Sequence, residues 1–141
     1  MKRQSYLSFF SLLALVILLS SCARTIRFDQ STVVPAATGK IKVKSERNGN
    51  YVMNIKLFNL APANRLQPPK ATYVVWMESQ DGLKNIGQVA SKSTLFTRAL
   101  QASLKAVSPS KPYRVFLTAE DNGTAAYPSS QPILTTGNFG K

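Results

Sequence analysis

The feature that most constrains the fold is an alternation of apolar and polar side chains with a period of two. It is clearest in residues 40–57, which contain the dipeptide Asn48-Gly49 near their middle. The odd positions hold Ile41, Val43, Tyr51, Met53, Ile55 and Leu57, and the even positions hold Lys40, Lys42, Lys44, Asn54 and Lys56. Successive side chains of a strand point to opposite faces, and Asn-Gly is favoured in tight hairpin turns. The segment is therefore predicted to be a β-hairpin with one face toward the core and the other toward water.

Further strands are predicted from the same period and from turn residues. Residues 71–78 are apolar on both faces, which is typical of a strand in the middle of a sheet. Asp81-Gly82 supplies a turn, after which residues 85–90 can pair back. Residues 113–119 alternate again, and residues 132–135 predict a last short strand.

The segment 95–107 fits two patterns. A helical stripe consists of Phe96, Leu100, Leu104 and Val107, and a strand alternation consists of Leu100, Ala102, Leu104 and Ala106. A strand is preferred because the neighbouring segments are all predicted to be strands. Seven or eight short strands in a chain of this size predict an all-β fold, an immunoglobulin-like β-sandwich.

The N-terminus has the three parts of a secretory signal peptide. Lys2 and Arg3 give a positive start, an apolar run extends from Leu7 to Leu19, and two small serines follow. The apolar run is shorter than the roughly 20 residues with which a helix spans a bilayer. Residues 1–21 are therefore predicted to be cleaved rather than to remain as a membrane span.

Leu19-Ser20-Ser21-Cys22 closes this segment and resembles the lipobox of bacterial lipoproteins. The resemblance implies that Cys22 carries a diacylglyceryl group, is the first residue of the mature chain and is often acylated at its amino end. Two or three acyl chains anchor a protein firmly, whereas one does so only marginally. Ala23 replaces the Asp that retains many lipoproteins in the inner membrane, so the expected location is the outer membrane, facing the periplasm. Cys22 is the only cysteine, which rules out an intramolecular disulfide.

The mature chain is expected to be one basic domain. Residues 22–38 are predicted to be the lipidated cysteine and a tether, residues 39–137 the sandwich, and residues 138–141 a loose tail. Without Lys2 and Arg3, 16 of the 18 basic side chains remain against six acidic ones, a net charge of about +10. This balance favours anionic partners, and export makes nucleic acid an unsuitable one.

Two stretches between residues 71 and 137 carry a longer motif. The first is Tyr73-Val74-Val75-Trp76-Met77-Glu78 with Asp81-Gly82 and Ile86-Gly87-Gln88-Val89, and the second is Phe116-Leu117-Thr118-Ala119-Glu120 with Gly123, Tyr127-Pro128, Pro132-Ile133-Leu134 and Gly137. The motif resembles the extracytoplasmic domain of anti-sigma-K factors, and the resemblance implies a β-sandwich used for sensing or contact rather than chemistry. Those factors also have a sigma-binding segment and a transmembrane helix, which this sequence lacks. We therefore do not expect the chain to sequester a sigma factor itself.

The sequence offers little for catalysis. It contains no histidine, which removes Ser-His and Cys-His pairs and the commonest metal ligand. Ser108-Pro109-Ser110-Lys111 has the spacing of a Ser-x-x-Lys motif, but that motif needs a helical turn and the prolines here predict a loop. Glu120 and Asp121 lack the repeated oxygen ligands of a calcium loop, and Trp76 is expected in the core between two sheets. No enzyme activity, cofactor or metal is predicted.

The best binding candidate is a basic stripe on the outer face of the first hairpin, formed by Lys40, Lys42, Lys44 and Lys56. The preferred interpretation of these lysines is nevertheless that they keep the molecule soluble and prevent pairing between strand edges. The sequence thus favours a non-catalytic envelope lipoprotein, a binding or structural module that contacts a partner protein or an anionic lipid or glycan surface. An accessory sensor of an envelope signalling system is the alternative. An enzyme with an unrecognised site, marked by a deep pocket and a carboxylate of displaced pKa, is a further one.

Overall fold

The computed structural model describes residues 23–89, 92–94 and 97–140, with the backbone alone for residues 92–94 and 97–100. The described residues form a 3₁₀ turn (Ala63–Arg65) and nine strands: β1 (Arg24–Arg27), β2 (Thr38–Ser45), β3 (Tyr51–Leu60), β4 (Thr72–Ser79), β5 (Gly82–Val89), β6 (Lys92–Thr94), β7 (Thr97–Ser108), β8 (Pro112–Glu120) and β9 (Pro132–Thr135). No helix in this part of the chain is long and apolar enough to cross a membrane.

The strands form two antiparallel sheets. One has five strands in the order β1-β2-β3-β7-β6, and the other has four in the order β5-β4-β8-β9. Strands β2, β3, β7 and β6 take the places of strands A, B, E and D of an immunoglobulin domain, and β5, β4, β8 and β9 take those of C′, C, F and G. The prediction of an all-β, immunoglobulin-like sandwich is confirmed, and β1 is an additional strand beside β2.

The predicted hairpin is formed by β2 and β3, which pair from Thr38↔Phe58 to Ser45↔Tyr51. The N–H of Gly49 donates to the carbonyl of Glu46 at 3.0 Å, and Gly49 has a φ of 83°. Asn48 does not share this left-handed conformation; its Oδ1 accepts from the N–H of Asn50 at 3.0 Å. The connection is therefore a longer turn ending in a left-handed glycine, not the two-residue turn that Asn-Gly often makes.

The ambiguous segment is a strand, because β7 pairs with β3 along most of its length. Leu104 and Ala106 pack against the core, whereas Val107, which a helical stripe would have buried, is 58% exposed. The strand interpretation is thus confirmed for residues 97–107, and Leu95 and Phe96 lie outside the described residues.

The main core lies between the two sheets. The five-stranded sheet contributes Ile41, Met53, Ile55, Leu57 and Ala102, and the four-stranded sheet contributes Tyr73, Val75, Met77, Val115, Leu117 and Ala119. Strand β4 pairs with β5 on one side and β8 on the other, as its two apolar faces predict. The Tyr73 hydroxyl donates to the carbonyl of Ala61 at 2.7 Å, and burial raises the pKa of Tyr73 to about 12.

Trp76 is fully buried, but the expectation that it lies between the two sheets is wrong. Its neighbours Val75 and Met77 belong to the core between the sheets, so Trp76 points to the other face of β4. There it forms a second apolar cluster with Val74 and Phe116, against which Ala125 packs. Ala125 belongs to the connection 121–131 between β8 and β9, which we call the covering loop. The covering loop shields this outer face of the four-stranded sheet from water, which explains why the face can hold large apolar residues.

Both ends of the sandwich extend beyond the predicted boundaries. The predicted tether contains β1, which pairs with β2 from Arg24↔Val43 to Arg27↔Lys40. In the predicted tail, the N–H of Phe139 donates to the carbonyl of Tyr113 at 2.9 Å, and Phe139 packs against the main core. Residues 24–27 and 139 are therefore parts of the domain, because each completes its hydrogen bonds on a neighbouring strand.

Candidate functional site

The four lysines selected from the sequence lie on one surface, the outer face of the five-stranded sheet. Ile41 of β2 and Ile55 of β3 point into the core, so the residues between them in the alternation point outward. Lys40, Lys42, Lys44 and Lys56 are all exposed. The register places Lys40 directly opposite Lys56 and Lys42 opposite Asn54.

Two further cations extend this surface. Arg27 of β1 pairs with Lys40, and Lys105 of β7 pairs with Asn54. Both side chains are exposed, and the same alternation directs both outward. We call the surface formed by Arg27, Lys40, Lys42, Lys44, Lys56 and Lys105 the basic face.

Only one of these two additions could have been found from a sequence pattern. Lys105 belongs to the alternation of residues 100–106, but that segment also fitted a helix, which would have placed the side chain elsewhere. Arg27 could not be found in this way, because the sequence predicts a tether for residues 22–38. Only the pairing of β1 with β2 aligns Arg27 with Lys40.

The positive charge of the basic face is not neutralised by the carboxylates of the described residues. Their ion pairs are Lys70–Asp121 at 2.7 Å, Lys84–Asp81 at 3.8 Å and Arg114–Glu78 at 3.1 Å. None of these pairs involves the basic face. Residues two apart along a strand are separated by about 7 Å, and strands by about 4.8 Å, so neighbouring cations of the basic face are separated by roughly one Debye length, about 8 Å, or less. The surface is therefore a dense positive array that suits an extended anion.

Protection of a strand edge does not explain most of these lysines. Lys40 and Lys42 lie on β2 where it is paired with both β1 and β3, and Lys56 lies on β3 between β2 and β7. Their backbones are already paired on both sides, so a charge there does not block an exposed edge. The edge interpretation that the sequence favoured is thus weakened for these three residues, and a solubility role or a binding role is left.

Apolar side chains accompany the cations at one end of the basic face. Val52 lies opposite Lys44 on one side and opposite Val107 on the other. Val52 is buried, whereas Val107 is 58% exposed and is one of two exposed large hydrophobic residues in the described part of the chain. The other is Tyr127, on the covering loop of the opposite sheet. An exposed valine beside lysines gives this end an amphipathic character.

The opposite sheet holds the buried acidic group, Glu120. Its carboxylate accepts from the Thr118 hydroxyl at 2.6 Å, from the Ser129 N–H at 3.0 Å and from the Ser129 hydroxyl. Thr118 in turn accepts from the Trp76 indole N–H at 2.7 Å. The network fixes the covering loop to the sheet through Ser129 and leaves no polar side-chain atom unsatisfied among the described buried residues.

These contacts decide the ionisation of Glu120. Burial alone would raise the pKa of its carboxyl, but hydrogen bonds from Ser129, Thr118 and Ser130 outweigh burial and lower the pKa below its ordinary value of 4.5. A general base works best with a pKa near the working pH. The pKa of Glu120 is shifted downward, away from that range. The contacts of this carboxylate therefore fit a structural role.

The other residues considered from the sequence are engaged in turns. The Ser108 hydroxyl accepts from the Ser110 N–H at 3.1 Å and donates to the Ser110 carbonyl at 3.0 Å, while Lys111 is exposed. Asp121 pairs with Lys70. No group of three or more metal-binding side chains occurs within the residues that the structure describes.

Two open clefts are lined entirely by described residues. One, of about 300 Å³, lies between β5 and β7 and is lined by Met77, Lys84, Asn85, Ile86, Ala106, Val107, Ser108 and Pro109. The other, of about 290 Å³, is lined by Val33, Leu66, Gln67, Pro68, Lys70, Ala119, Ser129, Ser130, Gln131 and Ile133. Neither lining includes a carboxylate, so neither cleft combines a pocket with the displaced acid that would indicate catalysis.

The predicted signal peptide and lipidation site, residues 1–22, lie outside the described residues. Comparisons with protein-family models, with curated proteins and with solved structures give no match for this chain.

Proposed function

We propose that the chain is a non-catalytic lipoprotein of the bacterial envelope that binds an anionic partner through its basic face. The observation that carries the proposal is the array of six exposed cations on one sheet, none of which is paired with a carboxylate in the part of the chain that the structure describes. Lipid on Cys22 holds the domain at a membrane, with the outer membrane facing the periplasm as the expected location. The protein acts there as a binding or structural module.

The form of the surface supports contact with an extended partner. The cations repeat along and across strands on the outer face of the sheet rather than converging on a cleft. Such an array matches a surface or chain that carries many negative charges. Close to an anionic membrane, each lysine contributes about 1 kcal/mol to binding. A single small anion would instead need donors that converge on one point.

The first test measures binding of the domain without its lipid. Residues 23–141 are sedimented with anionic or neutral vesicles at low and high salt. We expect binding to anionic vesicles alone, weakened by salt and by the combined change Lys42→Gln, Lys44→Gln and Lys56→Gln. The matched control, Arg65→Gln, Lys84→Gln and Lys111→Gln, removes the same charge from outside the basic face and should bind nearly as well as the parent domain. Equal binding by both triple variants would refute the basic face as the contact.

The second test concerns the anchor. Mass spectrometry of the purified N-terminus is expected to find acyl chains on Cys22 as the first residue. The Cys22→Ala variant should lose firm membrane attachment, because two or three acyl chains give nearly permanent anchoring and the basic face alone does not. A variant that remained with membranes after carbonate washing would contradict the anchor.

A further inference from the structure

The folded domain begins almost immediately after the proposed lipid attachment point. Strand β1 starts at Arg24, and only Ala23 separates it from Cys22. The guanidinium of Arg24 donates to the carbonyl of Phe139 at 2.7 Å, which fixes the start of the strand to the C-terminal segment. Two residues of extended chain span about 7 Å. If Cys22 carries lipid, as the proposed function requires, the edge of the five-stranded sheet is held at the headgroup layer.

The register defines which part of the sheet is nearest to the anchor. Arg24 pairs with Val43, so the next position along β2, Lys44, lies at the end where the chain enters from Cys22. Across the sheet, Lys44 lies opposite Val52, and Val52 lies opposite Val107. The amphipathic end of the basic face is therefore the end beside the anchor.

The chemistry of this end fits the boundary of a bilayer. Lys42 and Lys105 are each two residues from Lys44 and Val107 on the same face, at about 7 Å along their strands. Surfaces that lie on membranes combine apolar side chains, which enter the headgroup boundary, with basic side chains, which attract anionic lipids. An acidic glycan would account for the charge but not for the position of this end beside the anchor.

We propose that the basic face lies against the same bilayer that holds the lipid anchor, with Val107 at the headgroup boundary. The four-stranded sheet and its covering loop then point away from that membrane. The anchor and the face together fix the orientation of the domain, which presents Tyr127 and the covering loop to the periplasm.

The test uses the full lipoprotein in vesicles and compares two exposed residues on opposite sides of the molecule. Val107→Cys and Tyr127→Cys variants are each labelled with a fluorescent dye. Because the sulfur of Cys22 is consumed by lipid, the introduced thiol is the only one available. The vesicles contain phosphatidylcholine with or without phosphatidylglycerol, and a headgroup-linked quencher reports proximity to the bilayer.

We expect the dye at position 107 to be quenched several-fold more than the dye at position 127 in the phosphatidylglycerol vesicles. Lys42→Gln, Lys44→Gln and Lys105→Gln together should reduce this difference. Arg65→Gln, in the connection after the far end of β3, should preserve it. Equal quenching at the two positions, or none at either, would overturn the orientation.

The outcomes separate this inference from the proposed function. Protein that fails to stay with the vesicles shows that the anchor is absent, which is a failure of the proposed function. Protein that stays anchored and whose unlipidated domain binds anionic vesicles, but whose dye at position 107 remains unquenched, overturns only the face-on orientation. Binding of the soluble domain to an acidic polysaccharide but not to anionic vesicles would overturn the bilayer as the partner of the basic face.

Discussion

Glu120 shows how this domain holds a buried negative charge without a cation. The side chain is 1% exposed, and its carboxylate is held by hydroxyl and amide donors of Thr118 and Ser129. Hydrogen bonds to a charged acceptor are roughly twice as strong as those between neutral groups. They keep Glu120 ionised and attach the covering loop above Trp76. The Thr-x-Glu pattern in the sequence thus corresponds to two side chains on the same face of β8.

The lowered pKa of Glu120 predicts how stability depends on pH. Because the folded pKa lies below the unfolded value of 4.5, the contribution of the carboxylate is present above pH 4.5 and is lost as the pH falls through the folded pKa. We expect Glu120→Gln to lower the free energy of unfolding at neutral pH by about 1–3 kcal/mol and to flatten its decline in acid. Urea denaturation between about pH 7 and about pH 3 measures both effects.

Asp121→Asn is the matched control for Glu120→Gln, because Asp121 is exposed and pairs with Lys70 at the surface. This variant should change stability by less than about 1 kcal/mol. An acid dependence in Glu120→Gln as steep as that of the parent would show that other carboxylates cause it.

The side on which Trp76 is buried could not be predicted from the sequence. The apolar residues on both faces of 71–78 correctly indicated a central, buried strand. They did not indicate which face meets the other sheet, since both faces look alike in one dimension. In the structure, the covering loop buries the face of β4 that carries Trp76. The side-chain amide of Asn85 holds that loop in place by donating to the carbonyls of Gly123 and Ala125 at 3.0 and 2.9 Å. Contacts between residues about 40 positions apart leave no local pattern.

At the scale of strands, the hairpin could be predicted because its turn, alternation and charge agree with one another. Strand β1 could not, because Arg-Thr-Ile-Arg has one partly buried residue, Ile26, and depends on β2 for its hydrogen bonds. The lysines of the hairpin were consequently found from the sequence, and Arg27 was not. Phe139 was missed for the same reason, since its position depends on Tyr113 of β8.

The basic face is unfavourable for the strands that form it. Lys40 and Lys56 are direct cross-strand neighbours, and like charges in that position repel. We expect Lys56→Gln to raise the free energy of unfolding at low salt by about 0.2–1 kcal/mol. The gain should disappear at about 1 M salt, where the Debye length is about 3 Å. Denaturant titrations at the two salt concentrations measure the difference.

Lys111→Gln removes the same charge from an exposed turn and should show little salt-dependent gain. If Lys56→Gln were neutral or destabilising at low salt, the lysine pair would not be under repulsion in the fold. The expected gain would instead indicate that the basic face is kept at some cost in stability, which agrees with a role in binding.

At the scale of the whole molecule, the two outer faces of the sandwich differ in a way that gives it direction. The covering loop and a network of hydrogen bonds close the face of the four-stranded sheet. The face of the five-stranded sheet displays exposed cations and Val107, and the chain enters beside it from Cys22. With the proposed lipid on Cys22, a domain with these two faces would have one side suited to the membrane and one directed away from it.

Only Ala23 lies between the proposed lipid attachment site, Cys22, and the first strand of the sheet, so a longer connection should loosen the orientation of the domain. A flexible Gly/Ser linker of about 20 residues, inserted between Ala23 and Arg24, has a root-mean-square length of about 25 Å, several times the Debye length of about 8 Å. The insertion lowers the effective concentration of the basic face at the bilayer. We expect the lipoprotein to stay with vesicles while the quenching difference between dyes at positions 107 and 127 becomes smaller. The same linker added after Lys141 should leave the difference unchanged, because that end does not connect the sheet to the lipid. A difference that survived the N-terminal insertion in full would mean that the basic face alone orients the domain and that the closeness of β1 to Cys22 contributes nothing.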